Sequence, residues 1–278
     1  MPATGTLYLV AVPIGNADDL SPRAEETLRS VAVVAAEDTR HFATLARRHA
    51  IDTRSVSYHD HNEQLRTAEL IGRLHQGEDV ALVSDAGTPL VSDPGFRLVR
   101  AAIDGGIRVT SIPGPSAVTT ALAASGLPPH PFRFVGFLPR TAAARRAALE
   151  AVAGDEATLV AFEAPHRLAD ALRDAVDVLG DRAACLGRNL TKPHERYDRG
   201  QLSQLLDGLA SEGEVRGECT VVIAGADRRE RNLTDATADA RLLLQGGAPP
   251  RAIQDLLAAR HGLSHREAYA LVLELRDE

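Results

Sequence analysis

The stretch Val80-Ala-Leu-Val-Ser-Asp-Ala-Gly-Thr-Pro-Leu-Val-Ser-Asp-Pro-Gly95 places a polar loop directly after a short apolar run. The run is typical of a buried strand, and the loop carries two aspartates, two glycines and two prolines. Glycine lets the backbone approach a ligand closely, proline restricts the loop, and aspartate accepts ribose hydroxyls or faces a developing positive charge. Ordinary turns use the same residue types, so the neighbouring segments must decide between a turn and a ligand loop.

Four further apolar runs in the first half, at residues 6–12, 31–36, 54–57 and 107–112, also end in polar or Gly/Pro-rich loops. Helix-like segments separate these runs, and Ser21-Pro22 is typical of an N-cap followed by the first helical residue. Alternating strands and helices predict a mostly parallel sheet, whose ligands gather beyond the carboxyl ends of the strands. The loops after all five runs should therefore lie on one rim.

A second series begins after the breaker-rich segment at residues 126–131. Strands are predicted at 132–137, 158–162, 183–186 and 219–224, with helices near Arg145, Arg167 and Gln201 and a core of their own. From residue 233 the pattern is helical, and Ser264-His-Arg-Glu267 has the form of a capping box. We predict α/β domains at residues 1–117 and 118–230, and a small helix-turn-helix-like appendage at 231–278.

The net charge of −7 means that any contact with nucleic acid must use a local arginine patch. Cys185 and Cys219 are far apart in sequence, which is typical of reduced thiols in the cytoplasm. The apolar run near the N-terminus is too short for a membrane span and has no basic segment before it. These features predict a cytoplasmic protein that does not associate with a membrane.

Two loops carry ionisable clusters that have both a functional and a structural interpretation. Glu37-Asp-Thr-Arg-His41 is either a site or the N-terminus of a helix, since Asp and Thr are favoured caps. His59-Asp-His-Asn-Glu63 places alternate histidines on one side of an extended segment, as in a metal site, but no third ligand is evident. We favour a hydrogen-bonded loop without metal, or histidines that act as neutral bases.

Basic residues in the second half are candidates for contact with an anionic backbone. Lys192, the only lysine among 31 basic residues, follows a predicted strand. Arg140, Arg145 and Arg146 could track phosphates, or could belong to a solvated helix face. The nearby aromatic residues Phe132 and Phe134 are expected in the core rather than stacked on bases.

Several motifs together resemble the tetrapyrrole-methylase superfamily, and within it the members that modify small-subunit ribosomal RNA. They are VPIGN at 12–16, AAEDTRH at 35–41, HDHNE at 59–63, LVSDAGTPLVSDPG at 82–95, PGPSA at 113–117 and GFLPR at 136–140. The resemblance runs through both halves to the helical tail. It implies two α/β domains with S-adenosylmethionine in the cleft between them, a homodimer, and 2'-O-methylation of a cytidine ribose in the decoding region of 16S ribosomal RNA.

The resemblance also implies roles for individual residues. The cofactor side would comprise Pro13, Ser84, Asp85, Ala86, Gly87, Ser116, Ala117, Phe162, Leu190, Cys219 and Thr220. The catalytic set would comprise Asp38, Arg40, His59, His61 and Lys192, and the RNA contacts Glu37, Arg140, Arg145, Arg146 and Arg188. This chain has Asn189 and Phe162 where the family tends to have Glu and Tyr, so an acidic role at position 189 is in doubt.

Methyl transfer to a hydroxyl oxygen is an in-line displacement, in which positioning dominates and a base takes the proton. We expect that base to be Asp38 or a histidine of the 59–61 segment, and Glu163 is a further candidate. Three other functions compete. A small-molecule methyltransferase would share the fold, a nicotinamide oxidoreductase would need a dinucleotide fingerprint that the Pro13-Ile-Gly-Asn16 loop lacks, and an assembly factor would not need five loop-rich strand ends.

Overall fold

The first half of the chain forms a five-stranded parallel sheet in the computed structural model, which describes residues 4–212 and 216–277. Its elements are β1 (Thr6–Val10), α1 (Pro22–Ser30), β2 (Val33–Ala36), α2 (Thr39–Arg48), β3 (Ser55–Ser57), α3 (Glu63–His75), β4 (Val80–Val83), α4 (Phe96–Asp104) and β5 (Arg108–Ile112). The strand order is β3-β2-β4-β1-β5. All pairs are parallel, so the five following loops lie on one rim, as predicted.

Helices cover both faces of this sheet. Every residue of β2 and β4 is buried, which explains their unbroken apolar sequences. Leu28 and Phe42, from α1 and α2, belong to the core on one face, and Leu70 and Leu98, from α3 and α4, to the core on the other. The predicted cap of α1 is confirmed, because Ser21 Oγ accepts a hydrogen bond of 3.1 Å from the Ala24 N–H.

The second half contains a five-stranded mixed sheet. Its elements are α5 (Ala117–Ser125), β6 (Phe132–Phe137), α6 (Ala142–Glu150), β7 (Thr158–Glu163), α7 (Leu168–Leu179), β8 (Ala183–Arg188), β9 (Arg196–Gln201), α8 (Leu202–Glu212) and β10 (Cys219–Ile223). The order is β6-β7-β10-β8-β9, with only β6 and β7 parallel. The sequence did not predict β9, because this edge strand is polar. It is held in the sheet by its antiparallel pairing with β8.

Helix α5 joins the two halves. Its Val118 and Leu122 pack with Val160 and Val222 of the second sheet, and Ile14, from the loop after β1, belongs to the same cluster. Because α5 packs on the second sheet, we propose that the second domain begins with this helix, at Ala117, close to the predicted boundary at 117/118. The helix Arg228–Gln245 spans the predicted boundary at 230/231, so we propose that the C-terminal unit begins at Arg228.

Phe134 and Phe132 differ in burial. Phe134 is partly buried against the cluster that contains Val118, whereas Phe132 is 42% exposed. The prediction that Phe132 belongs to the core is therefore wrong, because this residue begins an edge strand.

The C-terminal segment is a three-helix unit of α9 (Arg228–Gln245), α10 (Pro250–His261) and α11 (His265–Asp277). Ala240, Ile253 and Val272 belong to its own apolar cluster. The capping box is confirmed, since Ser264 Oγ accepts a hydrogen bond from the Glu267 N–H at 3.3 Å and the Glu267 carboxylate accepts from the Ser264 N–H at 2.9 Å. Across residues 4–212 and 216–277, we find no helix of the length and apolarity that crossing a bilayer requires.

Candidate functional site

A cleft with a cavity volume of about 520 Å³ lies between the rim of the first sheet and the second domain. Most of the predicted cofactor residues line it, namely Asp85, Ala86, Gly87, Ser116, Ala117, Phe162, Leu190, Cys219 and Thr220. Pro13 and Ser84 instead line a second cavity of about 570 Å³. Because Asp85 and Ala86 line both cavities, the 84–87 turn stands between them.

Backbone hydrogen bonds hold this turn against the end of β1. The Val12 N–H donates to the Gly87 carbonyl at 2.8 Å, and the Gly87 N–H donates to the Val12 carbonyl at 3.0 Å. Ser84 Oγ donates to the Ala86 carbonyl at 3.1 Å, and Thr88 Oγ1 to the Pro115 carbonyl at 3.3 Å. Gly87 has a φ of +75°, which favours glycine, so the sequence Ala86-Gly87 allows a backbone wall in the cleft.

The first and second domains touch where the loop after β1 meets the loop after β8. The Asn16 N–H donates to Thr191 Oγ1 at 3.0 Å. A Cβ on Gly15 would lie only 2.5 Å from Lys192 Cγ and 2.8 Å from the Leu190 carbonyl oxygen, so only glycine allows this approach. Lys192 lines the second cavity, and its Nζ lies 2.7 Å from Glu218 Oε1.

Asn189, where the family tends to have Glu, has a left-handed backbone with a φ of +51°. Asn adopts this conformation more readily than most residues. A Cβ on Gly217 would overlap the Asn189 amide, so the two positions fit each other. The departure at position 189 thus has a conformational explanation and supplies no carboxylate.

Five carboxylates line the cleft, namely Glu37, Asp85, Asp93, Glu163 and Glu218. The Asp85 N–H donates to Glu37 Oε2 at 3.3 Å, and burial raises the pKa of Glu37. Burial also raises the pKa of Asp93 to about 7, and the negative charges of Glu37 and Asp85 add to the shift. Our sequence interpretation did not select Asp93, and the available signal was a second aspartate in the same Gly/Pro-rich loop.

Glu163 and Cys219 are buried side chains in the wall of the cleft. The Glu163 carboxylate pairs with Arg167 at 2.7 Å, and its Oε1 accepts a hydrogen bond of 2.7 Å from the Ala164 N–H. Burial raises the pKa of the Cys219 thiol to about 11, so this side chain presents a neutral surface near pH 7.

Asp38 and Arg40 form an ion pair outside both cavities. Asp38 is the N-cap of α2 and accepts a hydrogen bond of 2.8 Å from the Arg40 N–H, while the Arg40 guanidinium lies 2.7 Å from Asp38 Oδ2. This guanidinium holds the pKa of Asp38 well below its ordinary value. A carboxylate stabilised in this way is a weak proton acceptor. The observed contacts of Asp38 are those of a helix N-cap.

His59 and His61 lie side by side near the cleft but do not line it. Their ring centroids are 5.9 Å apart. Asn62 Nδ2 lies 3.2 Å from His59 Nε2. The Asn62 side-chain oxygen also accepts from the His59 N–H at 2.9 Å, so the segment is a hydrogen-bonded loop. Among residues 4–212 and 216–277, no group of three His, Cys, Asp or Glu side chains has an arrangement that could hold a metal ion.

The arginines predicted to contact RNA fall into two classes. Arg140 is exposed and Arg146 is partly exposed, although Arg146 pairs with Asp174 at 3.0 Å. Arg145 is only 4% exposed, with its Nε 2.7 Å from Asp174 Oδ2. Arg188 is also buried, and its Nη2 lies 3.0 Å from an Asp198 oxygen. RNA contacts by Arg145 and Arg188 do not fit the structure, because burial and carboxylate partners keep both guanidinium groups from the surface.

Comparison with known proteins identifies relatives across nearly the whole chain. The family model for Tetrapyrrole (Corrin/Porphyrin) Methylases matches residues 6–206. A protein of Micromonospora olivasterospora named Ribosomal RNA small subunit methyltransferase I is 52% identical over 272 residues, which cover 97% of this chain and 87% of that protein. A protein of the same name in Escherichia coli O157:H7 is 42% identical over 272 residues, covering 97% and 95%.

Solved structures share the fold. Uroporphyrin-III-C-methyltransferase from Thermus thermophilus is 25% identical with a TM-score of 0.56, covering 78% of this chain and 94% of that one. The same enzyme in complex with S-adenosylhomocysteine matches at 21% identity and a TM-score of 0.56, covering 79% and 97%. Diphthine synthase matches at 16% identity and a TM-score of 0.60, covering 79% and 89%. The chain therefore belongs to the tetrapyrrole methylase family, among relatives that share the name Ribosomal RNA small subunit methyltransferase I.

Proposed function

We propose that this protein transfers a methyl group from S-adenosylmethionine to 16S ribosomal RNA, at the 2'-hydroxyl of a cytidine in the decoding region. The observation that carries the proposal is the 52% identity, over 97% of the chain, with a methyltransferase named for small-subunit ribosomal RNA. The ribose position and the cytidine are implied by the sequence motifs that the family shares.

The cleft between the two domains suits S-adenosylmethionine in size and chemistry. Its volume of about 520 Å³ falls within the range of about 300–1,000 Å³ that is usual for ligand pockets. Phe162, Leu190 and Ala117 offer apolar surface, and Ser116 and Thr220 offer hydroxyl groups. The loop after β1 lacks a phosphate-binding fingerprint, which agrees with a cofactor that has no phosphate.

S-adenosylmethionine supplies an electrophilic methyl group on a positively charged sulfur. The cleft carboxylates Glu37 and Asp85 provide a negative field that favours a cation. The two cavities adjoin at Asp85 and Ala86, so a ribose that enters from the second cavity would meet the cofactor in the cleft, beside this turn. The task of the turn is to hold the reacting groups in line, which its backbone hydrogen bonds allow.

The second cavity supports the RNA side of this proposal. His41, Arg48 and Lys192 line it and provide groups that can donate hydrogen bonds to phosphate or ribose oxygens. Because the whole chain has a net charge of −7, we propose that the assembled 30S subunit presents the site, rather than free RNA. We also propose that the protein acts as a homodimer in the cytoplasm.

The test is to incubate the protein with tritiated S-adenosylmethionine and 30S subunits from a strain without this modification, and to map the label. We expect one labelled cytidine ribose in the decoding region. Labelled base, or no label on 30S together with methylation of a uroporphyrin-type substrate, would contradict the proposal. The second result would favour the small-molecule alternative.

A matched pair of glycine variants tests the place of the cofactor. Gly87 has a φ of +75° in the cleft, and Gly106 has a φ of +68° between α4 and β5, away from the residues that line it. Both substitutions by alanine place a Cβ on a left-handed backbone, so both should lower stability to a similar degree. Only Gly87→Ala should weaken binding of S-adenosylmethionine in isothermal titration. Equal binding by both variants would place the cofactor elsewhere.

A further inference from the structure

We propose that Asp93 is the proton acceptor of the reaction, a role that rests on the function proposed above. Asp93 lines the cleft together with Asp85 and Gly87 of the 84–87 turn. Two other candidates from the sequence, Asp38 and His59, do not line it. The base would then lie in the second half of the loop after β4, and not in the loops after β2 and β3.

The backbone around Asp93 is held in an uncommon conformation. Leu90 has a φ of +73° and Ser92 a φ of +71°, both in the left-handed region that non-glycine residues seldom adopt. Gly95 follows with a φ of +134°, and a Cβ there would lie 2.6 Å from Leu82 Cδ2. Conformations of this kind are unfavourable and persist where the surroundings enforce them, often at active sites. Here they turn the 90–95 segment so that Asp93 lies in the wall of the cleft.

The surroundings of Asp93 also suit a base. The charged groups that act on the Asp93 carboxyl group are Glu37 and Asp85, both negative. Within the described residues, no Lys or Arg forms an ion pair with Asp93. Partial burial together with like charges places its pKa at about 7, near the pH at which a general base works best.

The other cleft carboxylates are engaged. Glu163 pairs with Arg167 at 2.7 Å, and Glu218 pairs with Lys192 at 2.7 Å. Glu37 accepts a hydrogen bond of 3.3 Å from the Asp85 N–H. Asp85 Oδ1 accepts from the Asp38 N–H at 3.1 Å, which commits it to the contact between two rim loops. Asp93 therefore stands apart as the cleft carboxylate without a backbone or cationic partner among the contacts described.

The proposed step is a displacement at the methyl carbon of the cofactor. The ribose 2'-oxygen forms a bond to the methyl carbon while the bond between that carbon and sulfur breaks, and the electron pair of the broken bond stays on sulfur. The hydroxyl proton moves to a carboxylate oxygen of Asp93. Asp93 then releases this proton to solvent, since the cleft is open on one side, and returns to its ionised form.

The test compares Asp93→Asn with Asp93→Glu and with Asp104→Asn. Asp104 is an exposed carboxylate on α4, paired with Arg100 at 3.1 Å, and serves as the control for loss of one negative charge. Wild-type protein is first shown to label 30S subunits, because failure there would refute the proposed function and not the role of Asp93. Single-turnover rates and cofactor affinity are then measured from pH 5.5 to pH 9.

We expect Asp93→Asn to lower the rate of methyl transfer about 10²–10⁴-fold, the usual contribution of a general base, with cofactor affinity within about threefold of wild type. The wild-type rate should rise through pH 7, and this rise should be absent in Asp93→Asn and partly restored in Asp93→Glu. Asp104→Asn should follow the wild-type profile. A rate for Asp93→Asn within about threefold of wild type, or loss of cofactor binding by this variant, would overturn the proposal.

Discussion

At the scale of single residues, the cleft keeps a carboxyl group where its ionised form is unfavourable. The pKa of Asp93 lies near 7 in the folded protein because of burial and two negative neighbours, whereas an aspartate in the unfolded chain titrates near 4. Above pH 7 the folded state therefore carries a cost that the unfolded state avoids. Sites that trade stability for activity in this way are common in enzymes.

We predict that Asp93→Asn raises the stability of the protein at alkaline pH. A neutral amide avoids the cost of the buried charge, so the free energy of unfolding should increase by about 1–2 kcal/mol at pH 8, a value reduced for the partial exposure of the side chain. The gain should shrink as the pH falls from 7 to 4, since the folded protein then binds the proton while the unfolded chain loses the advantage of its ionised carboxylate. Urea unfolding at pH 4.5 and pH 8 measures the difference. An equal gain at both pH values would contradict the shifted pKa.

At the scale of secondary-structure elements, a buried ion pair connects α6 to α7. Arg145 and Asp174 are 4% and 6% exposed, and their closest atoms are 2.6 Å apart. We predict that Arg145→Met lowers the free energy of unfolding by about 2 kcal/mol, because Asp174 keeps a buried charge that only the partly exposed Arg146 then neutralises. The double variant Arg145→Met/Asp174→Leu should recover most of this loss in urea unfolding. If Arg145→Met left the stability unchanged and weakened binding to 30S subunits, Arg145 would contact RNA despite its burial.

The contact between the loop after β1 and the loop after β8 can be tested with two glycines. Gly15→Ala would bring a Cβ to 2.8 Å from the Leu190 carbonyl oxygen, so we predict that the loops separate and that the Kd for S-adenosylmethionine rises about tenfold or more. Gly72, inside α3, has no atom within 4 Å of its Cβ position. Gly72→Ala should stabilise the protein by about 0.5–1 kcal/mol and leave the Kd unchanged. Isothermal titration and thermal unfolding of both variants provide the measurement, and equal Kd values would show that cofactor binding does not depend on this contact.

At the scale of the whole molecule, an acidic protein is proposed to act on a highly charged RNA. A net charge of −7 opposes general attraction to polyanions, so contact must depend on local groups such as His41, Arg48 and Lys192 in the second cavity. We predict that 30S subunits are methylated at least about tenfold faster than naked 16S ribosomal RNA, and that the rate falls steeply between 50 and 200 mM salt. Initial rates on both substrates at several salt concentrations test this. Equal rates would remove the requirement for an assembled subunit.

Local sequence patterns were enough to predict the parallel sheet and the rim on which its loops meet. Apolar runs such as Val80–Val83 and breaker-rich loops such as 84–95 are local signals, and parallel pairing brings their ends together. Most residues assigned to the cofactor from motif resemblance also lie along one cleft. Those of the first domain follow parallel strands whose ends share an edge, and those of the second domain come from β7, β10 and the loop after β8.

The charged groups that face the cleft could not be predicted from the sequence, because they are brought together by the fold. Arg145 and its partner Asp174 are 29 residues apart, and no local pattern shows that they are buried together. β9 is likewise a strand because β8 pairs with it, although its own residues are polar. The surroundings of Asp93 combine Ser84 and Asp85 of its own loop with Glu37 from the loop after β2. Burial, and hence the pKa of a side chain, depends on neighbours that folding brings from distant parts of the chain.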